Sequence, residues 1–411
     1  MVKLKFAGNT DDLIELVSYL LKNNITTVAM ESTGVYWEVI YNLIEEAGIT
    51  VYLVNPTHVK NVPGRRKDDK SDARWIQKLH KFGLLSASFR PQLEDRVLHT
   101  LHRQRVKLVQ LSSDELRRMQ KALDLMNVRV HKAISTINSY TGMNIIRAIV
   151  NGEHNPKVLA KMRDSRCKCS TEELEAALTG YYSPHQILAL KHALERYDNL
   201  KKQINEIDAA IEETLRKLIP LSEEVIKKEM EKAPKQPKKN SNEPSFHFMA
   251  YNMMLVGKDP TVLPGISIQS AMGLLCELGR DFDKWPTVKH FTSYLTLAPV
   301  QKISGGKLLK SATRAGAPPA AVIFKQSAAT VTRTDTALGA NFRRLAIRKG
   351  RGKAVTATAR KLAEQYYYLM KFGREYIDKG AEEYEKIHHQ KQLVGLTKMA
   401  AKLNMTVIPN Q

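Results

Sequence analysis

The chain has 411 residues, enough for two or three domains, and is 43% hydrophobic and 26% charged, the make-up of a folded protein. Its 64 Lys+Arg against 42 Asp+Glu leave a net charge of +22, an excess that calls for a polyanionic partner because each neutralised phosphate releases counterions. Three cysteines rule out a disulfide framework, no apolar run approaches the ~20 residues a bilayer span needs, and the start has no signal-peptide core, so a cytoplasmic protein is expected.

The first eighty residues alternate strand and helix. Val2-Lys-Leu-Lys-Phe6 alternates apolar and basic side chains as a strand does. Asn9-Thr10 can cap a helix through Leu13, Leu16, Val17, Leu20 and Leu21. Thr26 to Met30 is a short β-branched strand, and a helix follows from Val35 to about Ala47. Gly48 to Pro56 reads as another strand, stopped by Asn55-Pro56, and Lys70 to Lys81 as a helix closed by Gly83. Such alternation defines an α/β domain, placed over residues 1–90.

Residues 91–228 read as helical. Leu116, Met119, Leu123, Met126 and Val130 recur at helical spacing within a helix predicted from Leu93 to about Thr141. A second helix from about His185 to Leu218 carries the seam Leu190, Ala193, Tyr197, Leu200, Ile204, Ile207, Ile211, Thr214 and Leu218, a coiled-coil heptad. That seam suits either a helical hairpin within one chain or pairing with a second subunit. Cys167-Lys-Cys169 lies between the two helices and reads as two thiols rather than a metal site, since no partner ligands stand nearby. Residues 229–260 read as a linker, with the polar, proline-rich run Lys232 to Pro244 at their centre. A mainly helical domain is expected over 261–380, and a polar tail over 381–411.

Three carboxylates stand out. Glu31 ends the strand Thr26–Met30, and Asp69 and Asp72 lie three apart at a helix start, on one face. A strand-end carboxylate and a helical Asp pair suit a hard divalent cation such as Mg²⁺ in phosphoryl transfer, although Asp-x-x-Asp at a helix start also compensates the helix dipole. The pair sits among Arg65, Arg66 and Lys67, cations suited to phosphate contact. Ser304 precedes Gly305-Gly306 between Lys302 and Lys307, a hydroxyl on a backbone that a phosphate can approach closely; the same run also makes an ordinary turn. Between Gln301 and Lys361 fourteen Lys/Arg face a single acid, Asp335, and Arg343, Arg344, Arg348, Lys349, Arg360 and Lys361 define a nucleic-acid surface. Leu263-Pro-Gly265-Ile266 resembles a helix-hairpin-helix turn whose amides hold phosphate, with Ser267 where a second glycine is usual. No Gly-x-x-x-x-Gly-Lys-Ser/Thr loop occurs, so nothing suggests nucleotide hydrolysis.

Taken together, Glu31-Ser-Thr-Gly-Val-Tyr-Trp37, Val54-Asn-Pro56, Lys67-Asp-Asp-Lys-Ser-Asp-Ala73, Leu263-Pro-Gly-Ile266, Phe291 to Pro299, Ser304-Gly-Gly306 and Ala359-Arg-Lys-Leu-Ala363 resemble the IS110-type insertion-sequence transposases, the RNA-guided bridge recombinases. The resemblance implies an RNase H-like (RuvC-like) first domain, a coiled-coil middle and a mainly α transposase domain. It implies a metal-binding Asp-Glu-Asp-Asp quartet, with Glu31, Asp69 and Asp72 as its last three members, and Ser304 as the nucleophile of a covalent serine–DNA link. It further implies DNA and a noncoding guide RNA as partners, and dimers assembling to a tetramer through the coiled coil. The family's first Asp precedes the Glu on an opening strand. Here the only acids before Glu31 are Asp11, Asp12 and Glu15, on a helix, and Val2–Phe6 reads as the third strand of the sheet. The first strands and one ligand are therefore expected to be missing. The alternatives are an inactive truncated transposase that only binds nucleic acid, and a junction-resolving nuclease that uses carboxylates alone.

Overall fold

A computed structural model describes residues 4–32, 34–54, 69–85, 93–233, 242–378 and 380–408. The chain is mostly helical and divides into two compact units, residues 1–92 and 93–411.

The first unit is α/β. Helix α1 (Thr10–Lys22) is capped by Asn9, whose Oδ1 accepts the Asp12 N–H at 2.9 Å. Strands β1 (Thr27–Glu31) and β2 (Thr50–Val54) are parallel, in register from Thr27↔Thr50 to Glu31↔Val54. Parallel neighbours need a crossover, and α2 (Trp37–Glu46) supplies it while burying Tyr41 and Ile44. Helix α3 (Asp69–Lys81) packs Ile76 against Val54. The strand expected at Val2–Phe6 is absent over its described residues: Leu4 to Phe6 pair with no strand. Phe6 instead meets the Tyr19 ring of α1 at 6.2 Å, so a helix face takes the apolar side chain that the alternation assigned to a sheet.

In the second unit, α4 (Leu93–Leu125) and α9 (Pro184–Leu218) form a long hairpin. Arg105 pairs with Asp208, and Glu115 with Arg196 at 3.0 Å, a falling register that makes the two helices antiparallel. The heptad seam of α9 is therefore buried within the chain: Leu190, Ala193, Tyr197, Ile204, Ile207 and Ile211 are all covered. Arg105 and Asp208 are each only 1% exposed, and Asp208 also accepts the Ser245 N–H at 2.8 Å. This buried pair ties both helices to the segment that follows.

Helix α4 stops at Leu125 rather than continuing to Thr141. Asn127 takes φ +56° and the Val128 N–H turns back to the Leu123 carbonyl at 2.9 Å, a C-terminal closure that asparagine tolerates. Four short helices follow at the tip of the hairpin: α5 (Val130–Ala133), α6 (Tyr140–Val150), α7 (Pro156–Ala160) and α8 (Thr171–Leu178). They enclose their own core of Ile145, Ile146, Ile149, Leu159, Leu174 and Leu178.

The stretch read as a linker over 229–260 is largely built. Helix α10 (Glu223–Lys232) enters it, and α11 (Phe248–Val256) buries Phe248 and Tyr251 in the main core. The polar centre of that stretch, residues 234–241, lies outside the described residues, whereas the apolar run Phe248-Met-Ala-Tyr251 carries enough surface to pack. Helices α12 (Ile268–Leu278), α13 (Val288–Tyr294), α14 (Pro319–Thr330), α15 (Ala337–Lys349) and α16 (Arg351–Phe372) complete the domain. Their centre is aromatic: Phe282, Trp285, Phe291, Phe324, Tyr366 and Tyr367 are in mutual ring contact, and the Tyr367 hydroxyl donates to the Trp285 carbonyl at 2.8 Å. A hairpin of β3 (Pro299–Ser304) and β4 (Lys307–Thr313) interrupts the helices. The segment read as a polar tail contains α17 (Gly380–Lys402), whose Tyr384 and His388 dock on α15. Among the described residues no helix is long and apolar enough to cross a membrane.

Candidate active site

Glu31 is the last residue of β1, half-buried. Beyond it the Ser32 N–H donates to the Val54 carbonyl at 3.1 Å, so strand pairing fixes the chain one residue past the carboxylate. Asp69 and Asp72 occupy the first turn of α3. The orientation of α3 follows from two contacts. His80 Nε2 lies 3.0 Å from the Thr27 hydroxyl, at the start of β1, and its ring packs 4.7 Å from Tyr52. One turn back, Ile76 meets Val54, which pairs with Glu31. Helix α3 therefore runs antiparallel to β1. The N-terminal turn of α3, which carries Asp72, is thus at the Glu31 end of the strand pair.

Both are hard oxygen donors, the chemistry a divalent cation of the Mg²⁺ type takes. Among the described residues no three His, Cys, Asp or Glu side chains cluster as a metal site. The Asp69 side chain lies outside the described residues, as do Arg65, Arg66 and Lys67 entirely.

Ser304 belongs to the second unit and stands at the tip of the β3–β4 hairpin. It pairs with Lys307 across a two-residue turn in which Gly305 and Gly306 have φ +56° and +74°. Two successive positive φ values are what a two-residue hairpin turn matched to strand twist demands, and glycine meets that demand without strain. The register slips between Lys302 and Ile303, leaving Leu309 without a partner, and such a bulge bends the strand just below the serine. The region is mainly helical, as expected, with this hairpin as its strand exception: Val300, Gln301, Ile303 and Leu309 lie in an exposed two-stranded sheet. Ser304 and Lys307 are exposed, and no described side chain of the hairpin's own unit hydrogen-bonds to the Ser304 hydroxyl. The Lys302 side chain is outside the described residues.

Gly265 has φ +79°, and a Cβ there would lie 2.5 Å from the Ser327 carbonyl oxygen. Packing alone thus requires the glycine, while its backbone stays exposed at the surface. Ser267, where a second glycine was looked for, caps α12 by accepting the Ser270 N–H at 3.2 Å.

The basic residues divide into two sets. Arg343 donates to the Thr334 carbonyl at 2.8 Å, and Arg344 donates to the Tyr384 hydroxyl at 2.8 Å and meets His388. Arg360 pairs with Glu364 at 3.0 Å. Lys361 donates to Asn341 Oδ1 at 3.1 Å, and burial followed by the nearby Arg344 charge holds its pKa below the usual lysine range. These four have structural work within the chain. Arg348 and Lys349, by contrast, stand exposed at the end of α15 with Arg351 and Lys353 just beyond Gly350, which turns the chain at φ +82°. Charge density alone could not separate the two sets; which cations meet an internal carbonyl or carboxylate depends on the tertiary packing.

Helix α12 is fastened to α4. Glu277 takes hydrogen bonds from His99 Nε2 at 3.2 Å and Arg103 Nε at 3.0 Å. Burial opposes its charge, but the two donors outweigh that and bring the carboxyl down to about 2. His102, on the same helix, is pushed down to about 4, chiefly by burial.

Residues 1–128 match the family model of the DEDD-type IS110 transposase, and residues 261–343 match that of the IS116/IS110/IS902 transposase family. The first match contains Glu31, Asp69 and Asp72, and the second Gly265 and Ser304. A search of curated proteins finds no match.

Proposed function

Because the chain belongs to the IS110 family of transposases, we propose that it cuts and rejoins DNA strands with Ser304 as the nucleophile. The observation that carries this reading is the position of Ser304: an exposed hydroxyl at a Gly-Gly hairpin tip, beside Lys307, inside the matched transposase region. The Ser304 Oγ attacks a DNA phosphorus and loses its proton to a base. A serine–phosphate ester forms as the bond to the leaving sugar oxygen breaks, and that oxygen takes up a proton. Attack by a second strand's hydroxyl reverses the step and frees the serine. Phosphodiester energy is kept in the ester, so rejoining needs no nucleotide hydrolysis.

Glu31, Asp69 and Asp72 are the residues that would hold a divalent metal in the RNase H-like fold the family implies. When bound, such an ion lowers the cost of charge on the reacting phosphate. The N-terminal turn of α3, with Asp72, at the Glu31 end of β1 and the oxygen chemistry of both side chains support that assignment. Arg348 and Lys349 are the cations best exposed to hold the DNA backbone, with Lys307 at the serine. A noncoding guide RNA, Mg²⁺ as the specific ion and assembly of dimers into a tetramer belong to the same reading. The α9 seam does not supply that assembly, being buried against α4.

The test is covalent trapping. The full chain is incubated with Mg²⁺, guide RNA and labelled element-end DNA, and run on a denaturing gel beside Ser304→Ala. A labelled protein band present in the wild type and lost in the variant is the expected result. DNA cleavage that survives Ser304→Ala without any protein-linked label would overturn the serine mechanism in favour of a carboxylate-only nuclease. Binding with neither band nor cleavage would reduce the protein to a nucleic-acid binder.

A further inference from the structure

The four-helix tip of the α4–α9 hairpin has a chemistry that strand joining at Ser304 does not use. Residues 127–170 contain eight Lys/Arg against two acids, Glu153 and Asp164. One of those acids is already neutralised: Asp164 takes both Arg166 nitrogens, at 2.7 and 3.1 Å. Between α5, the start of α6 and the 164–168 loop lies a cavity of about 1050 Å³. Its walls present Lys132, Lys168, Arg166 and the hydroxyls of Ser135 and Thr136, with the Tyr140 ring at its edge, 67% exposed. Among the described residues neither Lys132 nor Lys168 makes an ion pair.

The walls are held in place. A Cβ on Gly142 would lie 2.3 Å from the Ile137 carbonyl oxygen, so the loop before α6 is pressed onto its first turn. Across the cavity Arg163 grips the carbonyls of Cys169 at 2.6 Å and Cys167 at 2.8 Å, and the Asp164 N–H donates to Thr141 Oγ1 at 3.0 Å. Cys167 and Cys169 are thus parts of a clamped loop.

Unpaired ammonium groups and hydroxyls are phosphate partners, and an exposed aromatic beside them is a base partner. Double-stranded nucleic acid keeps its base faces stacked inside, where Tyr140 cannot reach them; a single strand offers them. We propose that this cavity binds a single-stranded nucleic-acid segment, its phosphates on Lys132 and Lys168 and a base stacked on Tyr140. The inference goes beyond the transposase reading and does not depend on Ser304.

The experiment uses the full chain and fluorescence anisotropy at one fixed ionic strength. Labelled single-stranded RNA, single-stranded DNA and duplex DNA of one sequence are titrated with the wild type, Lys132→Glu/Lys168→Glu, Tyr140→Ala and Tyr140→Phe. Tyr140→Ala should weaken single-strand binding by about 5-fold to 100-fold, the effect of losing one stacked base, and Tyr140→Phe should restore it. The charge reversals should weaken single-strand binding at least about tenfold and duplex binding far less. Loss on RNA alone, or on both single strands, supports the site and tells which strand it accepts. Covalent trapping at Ser304 can fail with this pattern intact, so the two readings fail separately. All three changes lie at exposed positions, and an unchanged thermal midpoint verifies the fold; should the double Glu variant melt early, Lys132→Gln/Lys168→Gln replaces it. Single-strand affinities within about twofold of wild type for the charge and Tyr140→Ala variants would overturn the proposal. So would equal loss on single strand and duplex, which marks unspecific charge.

Discussion

Acid should destabilise the second unit through His102 before Glu277 is protonated. The imidazole is 5% exposed, and its pKa falls from 6.5 to about 4. Burial is the main cause; Glu277 pulls the other way, and the Arg105, His99 and Arg103 charges add to the depression. Below pH 6.5 the unfolded chain takes up a proton that the folded chain refuses until about pH 4. Stability is therefore full above the unfolded pKa and declines as the pH falls towards the folded one. A depression of that size corresponds to about 2.5 kcal/mol lost on going from about pH 7.5 to about pH 4.5. Glu277, held at about 2 against an ordinary 4.5, contributes stability that is present above 4.5 and lost only below it, largely outside this window. Urea midpoints at the two pH values would be read from Trp285, with Trp37 and Trp75 replaced by Phe so that only the buried core reports. His102→Gln keeps a polar side chain of similar size without the titration, and its stability should fall by about 2.5 kcal/mol less than the parent's over the same interval. Parallel pH dependences in parent and variant would show that His102 does not couple folding to acid.

Two further outcomes are expected. Asp208→Ala leaves the Arg105 guanidinium buried and unpaired and the Ser245 N–H without its acceptor, which should cost about 3–5 kcal/mol in urea unfolding; a loss below about 1 kcal/mol would mean that water reaches the pair. Replacing Arg348 and Lys349 together by Ala should reduce the slope of log affinity for duplex DNA against log salt by about 2, whereas Arg343→Ala should act on stability instead. An unchanged slope in the double variant would remove the α15–α16 corner from the DNA surface.

Local signals in the sequence located most elements: Asn9 as a cap, the β-branched run before Glu31, and the heptads of α9 all correspond to observed structure. Each rests on physics that acts within a few residues. Alternation at Leu4 to Phe6 failed because one ring contact with Tyr19 can use the same pattern a strand uses. Likewise, Leu93 to Thr141 looked continuous because apolar spacing runs on past Asn127, whose positive φ no periodicity reveals. The heptad seam announced a partner helix without saying whose, and the opposed charges Arg105 and Asp208, far apart in sequence, settle it as α4. For the candidate site, residue types and order were legible in Glu31, Asp72 and Ser304, whereas the hairpin under Ser304 was not. Its Gly-Gly turn is a strong local signal, but the flanking strands are exposed and lack a clean apolar face. The hairpin-tip cavity is not legible in the sequence, because Lys132, Tyr140 and Lys168 come from three different segments.

The β3–β4 hairpin also works as a lever. Its base leaves the body at Leu297, which is buried, and from there six residues of β3 carry Ser304 outward by about 17–20 Å. On an arm of that length a tilt of about 10° swings the tip by roughly 3 Å, far more than the ~1 Å misplacement that can already cost a hundredfold in rate. On the serine mechanism proposed above, fixing the angle of the arm matters as much as the hydroxyl at its end, and the bulge at Leu309 and the exposed apolar side chains of Ile303 and Leu309 are where a grip on it would act.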